Sequence, residues 1–441
     1  MNEIEKLQEL QPEMVETLKK VIGYNTEKSQ ALPDAPFGDG NRNCLDYVLQ
    51  TAKGMGLSTY NCDGYCGQVD FVGSGKQVVG ILGHLDVVPA KKSDGWVCDP
   101  YAPEIIDGKL IGRGTMDDKG PMIACLYAVK ALKDSGFAPK KTVRLIFGCD
   151  EECNMECVKY YFTKVKKPDI AFSPDGDFPV INREKGIYHF VLNFGKLDDN
   201  ILSITAGERA NVVPNLCVSF VDNSIEVGKN FIATADGKEL TTQGKSAHGS
   251  LPQDGINATW KMFSRLHTLF PNDTTLAFIV DKMCDYTGHK LGICLKDKES
   301  GDLTFNIGVV RYTKGENLYL TLDIRFPITY TGRQITNLLK QKLPRSVRFV
   351  ESHIKEPLFV PENSELVQKL LSVYNSETKE NAKAIAIGGG TYSRALPNCV
   401  AFGPLFPGEE QTIHMPNEYI SLEQLYTMAR MYMLAIKELS Q

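Results

Sequence analysis

The stretch VVGILGHLD at residues 78–86 decides the fold class. Its apolar part, broken only by glycine, is typical of a strand that is buried on both faces of a sheet. His84 and Asp86 follow directly, where the apolar run ends. Both are metal-ligand types, so the sequence predicts a buried strand with functional side chains at its end.

Two more apolar runs end in the same way. The run at 143–147 leads into the triplet Asp150–Glu152, and the run at 170–172 is followed closely by Asp175. A helix is predicted over Asp118–Ser135, because a proline stands in its first turn and apolar residues recur at helical spacing. Strand, helix and strand in this order predict an α/β domain with a mixed, largely parallel sheet flanked by helices. Ligands of such sheets bind beyond the carboxyl ends of the strands, where these acidic residues stand.

The middle of the chain, residues 187–380, has a different character. A hairpin is predicted over 303–325 from partial alternation, with helical patches before and after it. Residues 384–402 restore the pattern of short strands. The sequence therefore predicts a discontinuous catalytic domain, residues 1–186 and 381–441, interrupted by an inserted α+β lid domain at 187–380.

Composition excludes several classes of partner. The net charge of −5 argues against nucleic acid and anionic membranes, which need clustered positive charge. No stretch approaches the roughly 20 apolar residues that span a bilayer. The first residues are acidic and polar, so no secretory signal is expected. Twelve dispersed cysteines, several of them in apolar runs, indicate reduced thiols in a cytoplasmic protein.

The acidic residues allow more than one role when they are taken singly. Asp117 precedes the predicted helix, so its carboxylate could bridge two metal ions or simply cap the helix. Glu151 and Glu152 are adjacent, and in an extended segment their side chains point to opposite sides. One could bind metal while the other serves as general base, although a solvated acidic turn has the same composition.

Four strings, taken together and in order along the chain, resemble those of the dizinc peptidase family of aminoacylases, glutamate carboxypeptidases, carnosinases and bacterial dipeptidases. They are GHLDVVP at 83–89, GRGTMDDKGP at 112–121, DEE at 150–152 and SPD at 173–175. Within the family the chain is similar to the bacterial PepV-like (Xaa-His) dipeptidases. The resemblance implies a zinc-peptidase-like catalytic domain with a lid. It also implies a metallopeptidase that hydrolyses unblocked dipeptides.

The resemblance further implies ligands for two divalent cations: His84 and Asp175 for one, Glu152 and His414 for the other, and Asp117 bridging both. Glu151 would be the general base, and Asp86 the carboxylate that fixes the ring of His84. A cis peptide bond is expected between Asp117 and Asp118. Three ligand carboxylates against two divalent cations leave one positive charge, which suits a bound hydroxide. Zinc is favoured by the mixed nitrogen and oxygen ligands, which also admit manganese or cobalt.

The lid also receives its roles from the resemblance. His248 would stabilise the tetrahedral oxyanion. The groups that would bind the substrate carboxylate are Asn211, Arg325, Gly389, Gly390 and Arg394. A lid of this length is similar to that of the monomeric dipeptidases, so a monomer is expected.

Three other functions stay open at this point. The nearest is an N-acyl-amino-acid deacylase or a carboxypeptidase of the same family. Another is a non-catalytic protein that binds metal or peptide, against which Glu151 argues because metal capture does not need a general base. The third is a redox protein that uses Cys153 and Cys157.

Overall fold

Residues 2–441 are described by a computed structural model, and the chain divides into two compact units. Unit 1 runs to Asn182 and takes in Val360–Ile385 and Thr391–Gln441. Unit 2 comprises Arg183–Phe359 and Ala386–Gly390.

Most of the helices begin with a polar side chain that caps the backbone. In chain order they are α1 (Glu3–Ile22), α2 (Asp39–Gly54), α3 (Lys119–Asp134), α4 (Glu156–Lys164), α5 (Ala258–Leu269), α6 (Thr274–Met283), α7 (Gly332–Lys342), α8 (Glu365–Thr378) and α9 (Leu422–Ser440). α1 illustrates the caps: the side chain of Asn2 accepts from the backbone of Glu5, and that of Glu5 accepts in return from Asn2.

The strands are short, and most belong to one large sheet in each unit. In chain order they are β1 (Ser58–Cys62), β2 (Cys66–Phe71), β3 (Val78–His84), β4 (Glu104–Ile106), β5 (Lys109–Ile111), β6 (Thr142–Gly148), β7 (Ile170–Ser173), β8 (Gly176–Asp177), β9 (Ile181–Glu184), β10 (Gly186–Asn193), β11 (Ile201–Ala206), β12 (Leu216–Val221), β13 (Ile232–Thr234), β14 (Gly237–Gln243), β15 (Lys296–Asp297), β16 (Gly301–Asp302), β17 (Thr304–Thr313), β18 (Tyr319–Phe326), β19 (Arg348–Lys355), β20 (Leu358–Phe359), β21 (Ile385–Ile387), β22 (Cys399–Ala401), β23 (Pro404–Leu405) and β24 (Tyr419–Ser421).

The central sheet of unit 1 has the order β1-β2-β6-β3-β7-β22-β9. Its centre is parallel, because β3 pairs in parallel with β6 and β7, and β22 pairs in parallel with β7. The outer pairings are antiparallel. The predicted mixed sheet with helices around it is confirmed.

The parallel strands at the centre of the sheet determine where the predicted site lies, because these strands all end at the same edge. His84 at the end of β3 is paired with Gly148 at the end of β6. β7 runs beside β3 and pairs Phe172 with Ile81. The acidic residues that follow β6 and β7 therefore emerge next to His84, as expected for the carboxyl edge of a parallel sheet.

Helix α3 is buried along almost its whole length, and it packs against both α1 and α9. Met122, Leu126 and Val129 of its predicted apolar stripe are fully buried. This packing holds the start of α3, directly after Asp117, against the hydrophobic core of unit 1.

The domain boundaries differ from the prediction in three places. Unit 2 begins at Arg183, whereas residue 187 was predicted, and Ala386–Gly390, predicted in the catalytic domain, belong to unit 2. The largest difference is that the chain returns to unit 1 at Val360, whereas residue 381 was predicted. The intervening α8 buries Leu366, Leu370 and Tyr374 in the core of unit 1 and packs on α9. No helix was predicted at this place. The apolar residues of α8 recur at helical spacing, but periodicity does not indicate which of two cores receives the stripe.

Unit 2 has its own core and is an α+β fold, as predicted. Its sheet has the order β13-β14-β12-β11-β17-β18-β10-β19 and is antiparallel throughout the described pairings. The predicted hairpin is the β17–β18 pair. Across residues 2–441, none of the helices has the length and apolar character needed to cross a membrane.

Candidate dimetal active site

Asp117 lies between two histidines of unit 1. Its Oδ1 is 3.0 Å from Nε2 of His84, and its Oδ2 is 2.8 Å from Nε2 of His414. Each oxygen of one carboxylate thus faces a different imidazole. This is the arrangement required of a carboxylate that bridges two cations.

The other predicted ligands lie around the same point. Oε1 of Glu152 is 3.0 Å from Nε2 of His414. Two overlapping groups have ligand atoms within 4.8 Å of one another: His84, Asp117 and Glu152, and His84, Glu151 and Asp175. Unit 1 therefore brings together every metal ligand that the sequence predicted, and Glu151 with them.

The ring of His84 is held by a main-chain oxygen. Its Nδ1 lies 2.9 Å from the carbonyl oxygen of Asp86 and 3.6 Å from Oδ1 of the same residue. Since a carbonyl only accepts, Nδ1 carries a proton, which leaves Nε2 as the atom that a cation would use. That Nε2 is buried and lies 3.0 Å from Oδ1 of Asp117.

The carboxylate of Asp86 has a second set of contacts besides the ring of His84. Oδ1 accepts a hydrogen bond from the backbone N–H of Glu151 at 3.1 Å, and Oδ2 accepts from that of Glu152 at 3.0 Å. Asp86 thus contacts His84 through its carbonyl and, at 3.6 Å, through its carboxylate, and it fixes the acidic turn through the same side chain. Its role at the ring stays a prediction.

The charges of the cluster oppose one another strongly. Burial acts to lower the pKa of His414, but hydrogen bonds to Asp117 and Glu152 outweigh it and raise this pKa to about 11. Burial also acts to lower the pKa of His84. The hydrogen bond to Asp117 and the charges of the neighbouring carboxylates outweigh burial and raise this pKa well above its usual value. Burial acts to raise the pKa of Asp117, but hydrogen bonds from the two imidazoles hold it far below the usual range. The clustered carboxylates demand positive charge, which divalent cations would supply.

The two remaining acids have raised pKa values. Burial and then the charge of Asp175 raise the pKa of Glu151 well above its usual value. Burial and then the charge of Asp117 raise the pKa of Asp175 to about 7. Two imidazoles and several carboxylates around one buried nitrogen fit a pair of divalent cations. Glu151 would then stand beside them with a raised proton affinity, which suits a general base.

Sequence reasoning missed a buried carboxylate next to the bridge. Oδ2 of Asp118 accepts a hydrogen bond from the backbone N–H of His84 at 3.1 Å. A Cβ at Gly83 would lie 2.1 Å from that oxygen, so the close approach needs glycine. The glycine before His84 was the available signal. The peptide bond between Asp117 and Asp118 is cis, as predicted.

Sequence reasoning also missed the partner of Asp175. The backbone N–H of Tyr392 donates to Oδ2 of Asp175 at 3.3 Å. Tyr392 opens a 3-10 turn, Tyr392–Ala395, that includes the predicted substrate group Arg394 and belongs to unit 1.

Two residues with predicted roles at the substrate, Asn211 and His248, lie close together in unit 2. The backbone N–H of Gly249 donates to the carbonyl of Asn211 at 2.7 Å, and His248 forms an isolated β-bridge with Val212. A Cβ at Gly249 would lie 2.5 Å from Oδ2 of Asp323 and 3.0 Å from Cα of Asn211. Glycine at this point therefore lets Asn211 and Asp323 pack beside His248.

The guanidinium of Arg325 is already held in place. It donates from Nε and Nη2 to the two carboxylate oxygens of Asp323, at 2.7 and 2.8 Å. Its Nη1 donates to the carbonyl of Gly388 at 3.0 Å. Gly388 is the first of three consecutive glycines, and its carbonyl helps to hold the guanidinium of Arg325. Gly389 and Gly390 lie in the same unit.

The sequence from residue 80 to 438 matches the profile of the family described as Peptidase family M20/M25/M40. The chain belongs to this family. Among its relatives, "Putative dipeptidase YtjP" of Bacillus subtilis (strain 168) is 35% identical, over 94% of each chain. "Putative dipeptidase SH1171" of Staphylococcus haemolyticus (strain JCSC1435) is 34% identical, over 99% of this chain and 98% of the relative.

The fold matches solved structures of distant sequence. Human carnosine dipeptidase 1 superposes with a TM-score of 0.61 at 15% identity, covering 100% of this chain and 98% of that one. Membership of the M20/M25/M40 family makes the chain a metallopeptidase, a hydrolase of peptide bonds. The predicted family and enzyme class are confirmed.

Proposed function

We propose that this M20/M25/M40 peptidase is a dipeptidase that cleaves unblocked dipeptides with the help of two divalent cations. The observation that carries the proposal is Asp117, whose two oxygens face His84 and His414 separately. The ligands would be His84 and Asp175 at one cation, Glu152 and His414 at the other, with Asp117 shared. Zinc is the preferred ion, and manganese or cobalt would also suit these donors.

Residues of the chain would transfer the protons of the reaction and hold the group that transfers them. Two bound cations would supply a water of lowered pKa and polarise the substrate carbonyl. Glu151 takes the proton from the attacking water and later gives it to the leaving amine. Its raised pKa supports both steps, because a carboxylate of higher proton affinity is a better base towards the water, and its protonated form can still donate to the more basic amine. Asp86 keeps the acidic turn in register by holding the backbone of Glu151 and Glu152.

His248 is proposed as the donor to the tetrahedral oxyanion. The backbone N–H of Ser250 donates to Nδ1 of His248 at 3.2 Å, and the hydroxyl of Ser250 lies 2.7 Å from the same atom. Nδ1 therefore accepts, and the neutral ring carries its proton on Nε2. Desolvation and then the charge of Arg325 lower the pKa of His248, which keeps the ring neutral at pH 7. The side chain is thus prepared to donate a hydrogen bond from Nε2.

Replacing His248 with alanine is expected to lower kcat by about 10²–10³ and to change KM much less, because the oxyanion develops only in the transition state. Steady-state kinetics on a free dipeptide would measure both constants. His267, in α5, gives a matched control, and His267→Ala is expected to leave kcat unchanged. A tenfold rise in KM with kcat unaltered would contradict the oxyanion role.

Asn211 and Arg325 are proposed to fix the carboxylate of the substrate, together with Gly389, Gly390 and Arg394. The bidentate contact with Asp323 supports this role for Arg325, because it fixes the plane of the guanidinium. An anchor of this kind at the free carboxylate favours short substrates.

A free dipeptide is expected to be cleaved at least about 100-fold more efficiently, in kcat/KM, than its N-acetyl derivative. The physical reason is charge: acetylation removes the ammonium group, which the surrounding carboxylates attract. Chromatography of the leucine released from Ala-Leu and from N-acetyl-Ala-Leu would measure the ratio. Cleavage of the acetylated substrate alone would overturn the dipeptidase proposal in favour of a deacylase or carboxypeptidase of the same family.

The two further alternatives have less support. A non-catalytic binding protein would not need Glu151, which stands beside the predicted ligands with a raised pKa. A redox role would need Cys153 and Cys157 to react together. Cys153 is exposed and Cys157 is buried, and both are free thiols, which gives this role little support. The proposed enzyme acts as a monomer in the cytoplasm, and the free, mostly buried cysteines support a reducing compartment.

A further inference from the structure

Glu418 is a fully buried carboxylate in the segment that also carries His414. Its Oε1 accepts three backbone hydrogen bonds, from the N–H groups of Gly114 at 3.1 Å, Met116 at 2.9 Å and Asp117 at 3.2 Å. One oxygen thus gathers the amides of the loop that ends at the bridging aspartate. Three amides on one carboxylate oxygen make a charge-assisted, strongly directional contact.

The second oxygen of Glu418 binds an arginine, which neutralises the charge of the carboxylate. Oε2 accepts a hydrogen bond from Nη1 of Arg113 at 2.6 Å, and the arginine is also buried. Arg113 begins the same loop, so both oxygens bind the stretch between β5 and α3. Gly114 within it has a φ of +90°, a left-handed conformation that glycine adopts without strain.

The segment that carries Glu418 is itself fixed to this loop. The backbone N–H of Gly112 donates to the carbonyl of Glu418 at 3.0 Å, and β24 pairs with β5. The side chain of Asn417 accepts from the backbone N–H of Val97 at 2.8 Å. One short segment therefore supplies His414 to the metal cluster and holds the loop from which Asp117 projects.

We propose that Glu418 is a positioning residue that fixes Asp117 between the two cations. The amide of Asp117 is fixed at one end by Glu418, while its carboxylate must satisfy two cations at the other. Loss of the acceptor would let the loop shift, and a bridging ligand tolerates little displacement because two ions depend on it. This inference rests on the proposed function, since that function makes Asp117 a shared ligand.

Two double variants separate the hydrogen-bond acceptor from the ion pair. In R113M/E418Q the charge pair is removed, but the amide oxygen still accepts from the three N–H groups. In R113M/E418M the acceptor is removed as well, with a side chain of similar length. Competition for Zn²⁺ between the metal-free protein and a chromophoric chelator would give the affinities. R113M/E418Q is expected to bind Zn²⁺ within about threefold of the unmodified protein, and R113M/E418M about 10–100-fold more weakly.

Equal Zn²⁺ affinities for the two folded double variants would overturn the inference. Asp70→Asn is the matched control, because it breaks another carboxylate–arginine pair of unit 1, between Asp70 and Arg144, and should leave Zn²⁺ affinity unchanged. If R113M/E418M fails to fold, Glu418→Asp replaces it. That change keeps the charge opposite Arg113 but withdraws the oxygen from the amides, so binding about tenfold weaker supports the inference and unchanged binding overturns it. Failure of the unmodified protein to bind Zn²⁺ would refute the proposed function instead.

Discussion

Replacing Glu151 with glutamine is expected to lower kcat by about 10²–10⁴ while both divalent cations stay bound. Glutamine has nearly the same shape, but it neither takes a proton from water nor returns one to the leaving amine. The proposed cation ligands His84, Asp117 and Asp175 are unchanged in this variant. The loss should therefore appear in turnover and not in metal content.

Steady-state kinetics on a free dipeptide, together with elemental analysis of the purified protein, would test both parts of this prediction. Glu156→Gln is a matched control, because Glu156 is an exposed acid at the start of α4. Unchanged activity of Glu151→Gln would refute the general-base role. Loss of metal from this variant would instead make Glu151 a ligand, a role that its distance from His84 and Asp175 also allows.

Removing the metal ions with a chelator is expected to abolish hydrolysis completely and to lower the free energy of unfolding. The acids at the site repel one another, and without cations only the two imidazoles balance them. Binding to the folded state alone stabilises it by about 4 kcal/mol for each site when the free metal concentration is about 1,000 times Kd. Added Zn²⁺, Mn²⁺ or Co²⁺ should restore activity to different extents.

Thermal unfolding with and without Zn²⁺, alongside activity, would measure these effects. Asp117→Asn is the comparison, because it weakens the shared ligand of both sites. Zn²⁺ is expected to stabilise this variant far less than the unmodified protein. Full activity of the metal-free protein would contradict the dimetal proposal, and equal stabilisation of Asp117→Asn would contradict the bridging role.

Much of the site followed from local sequence. His84, Glu151 and Asp175 stand at or within a few residues of the ends of apolar runs, and the ends of parallel strands meet at one edge of a sheet. Strand ends are therefore positions that a one-dimensional pattern predicts well. His414 follows no such strand in unit 1, and its place in the site came only from the family resemblance.

Other parts depended on contacts between residues far apart in the chain. Glu418 contacts Asp117 across 301 residues, and a lone glutamate in a polar stretch gives no sign that it is buried. Asp86 contacts His84 through its carbonyl and the acidic turn through its carboxylate, and both contacts follow from the path of the backbone. No residue type encodes that path by itself.

The sequence by itself determined the α/β class, the positions along the chain of three strands that carry proposed metal ligands, and the residue types that follow those strands. These depend on apolar periodicity and residue type, which are local properties. Only the tertiary structure decided that α8 belongs to unit 1 and that Glu418 holds the loop of Asp117. Burial and hydrogen bonding between distant segments are settled by which surfaces pack together, and the chain acquires that information only when it folds.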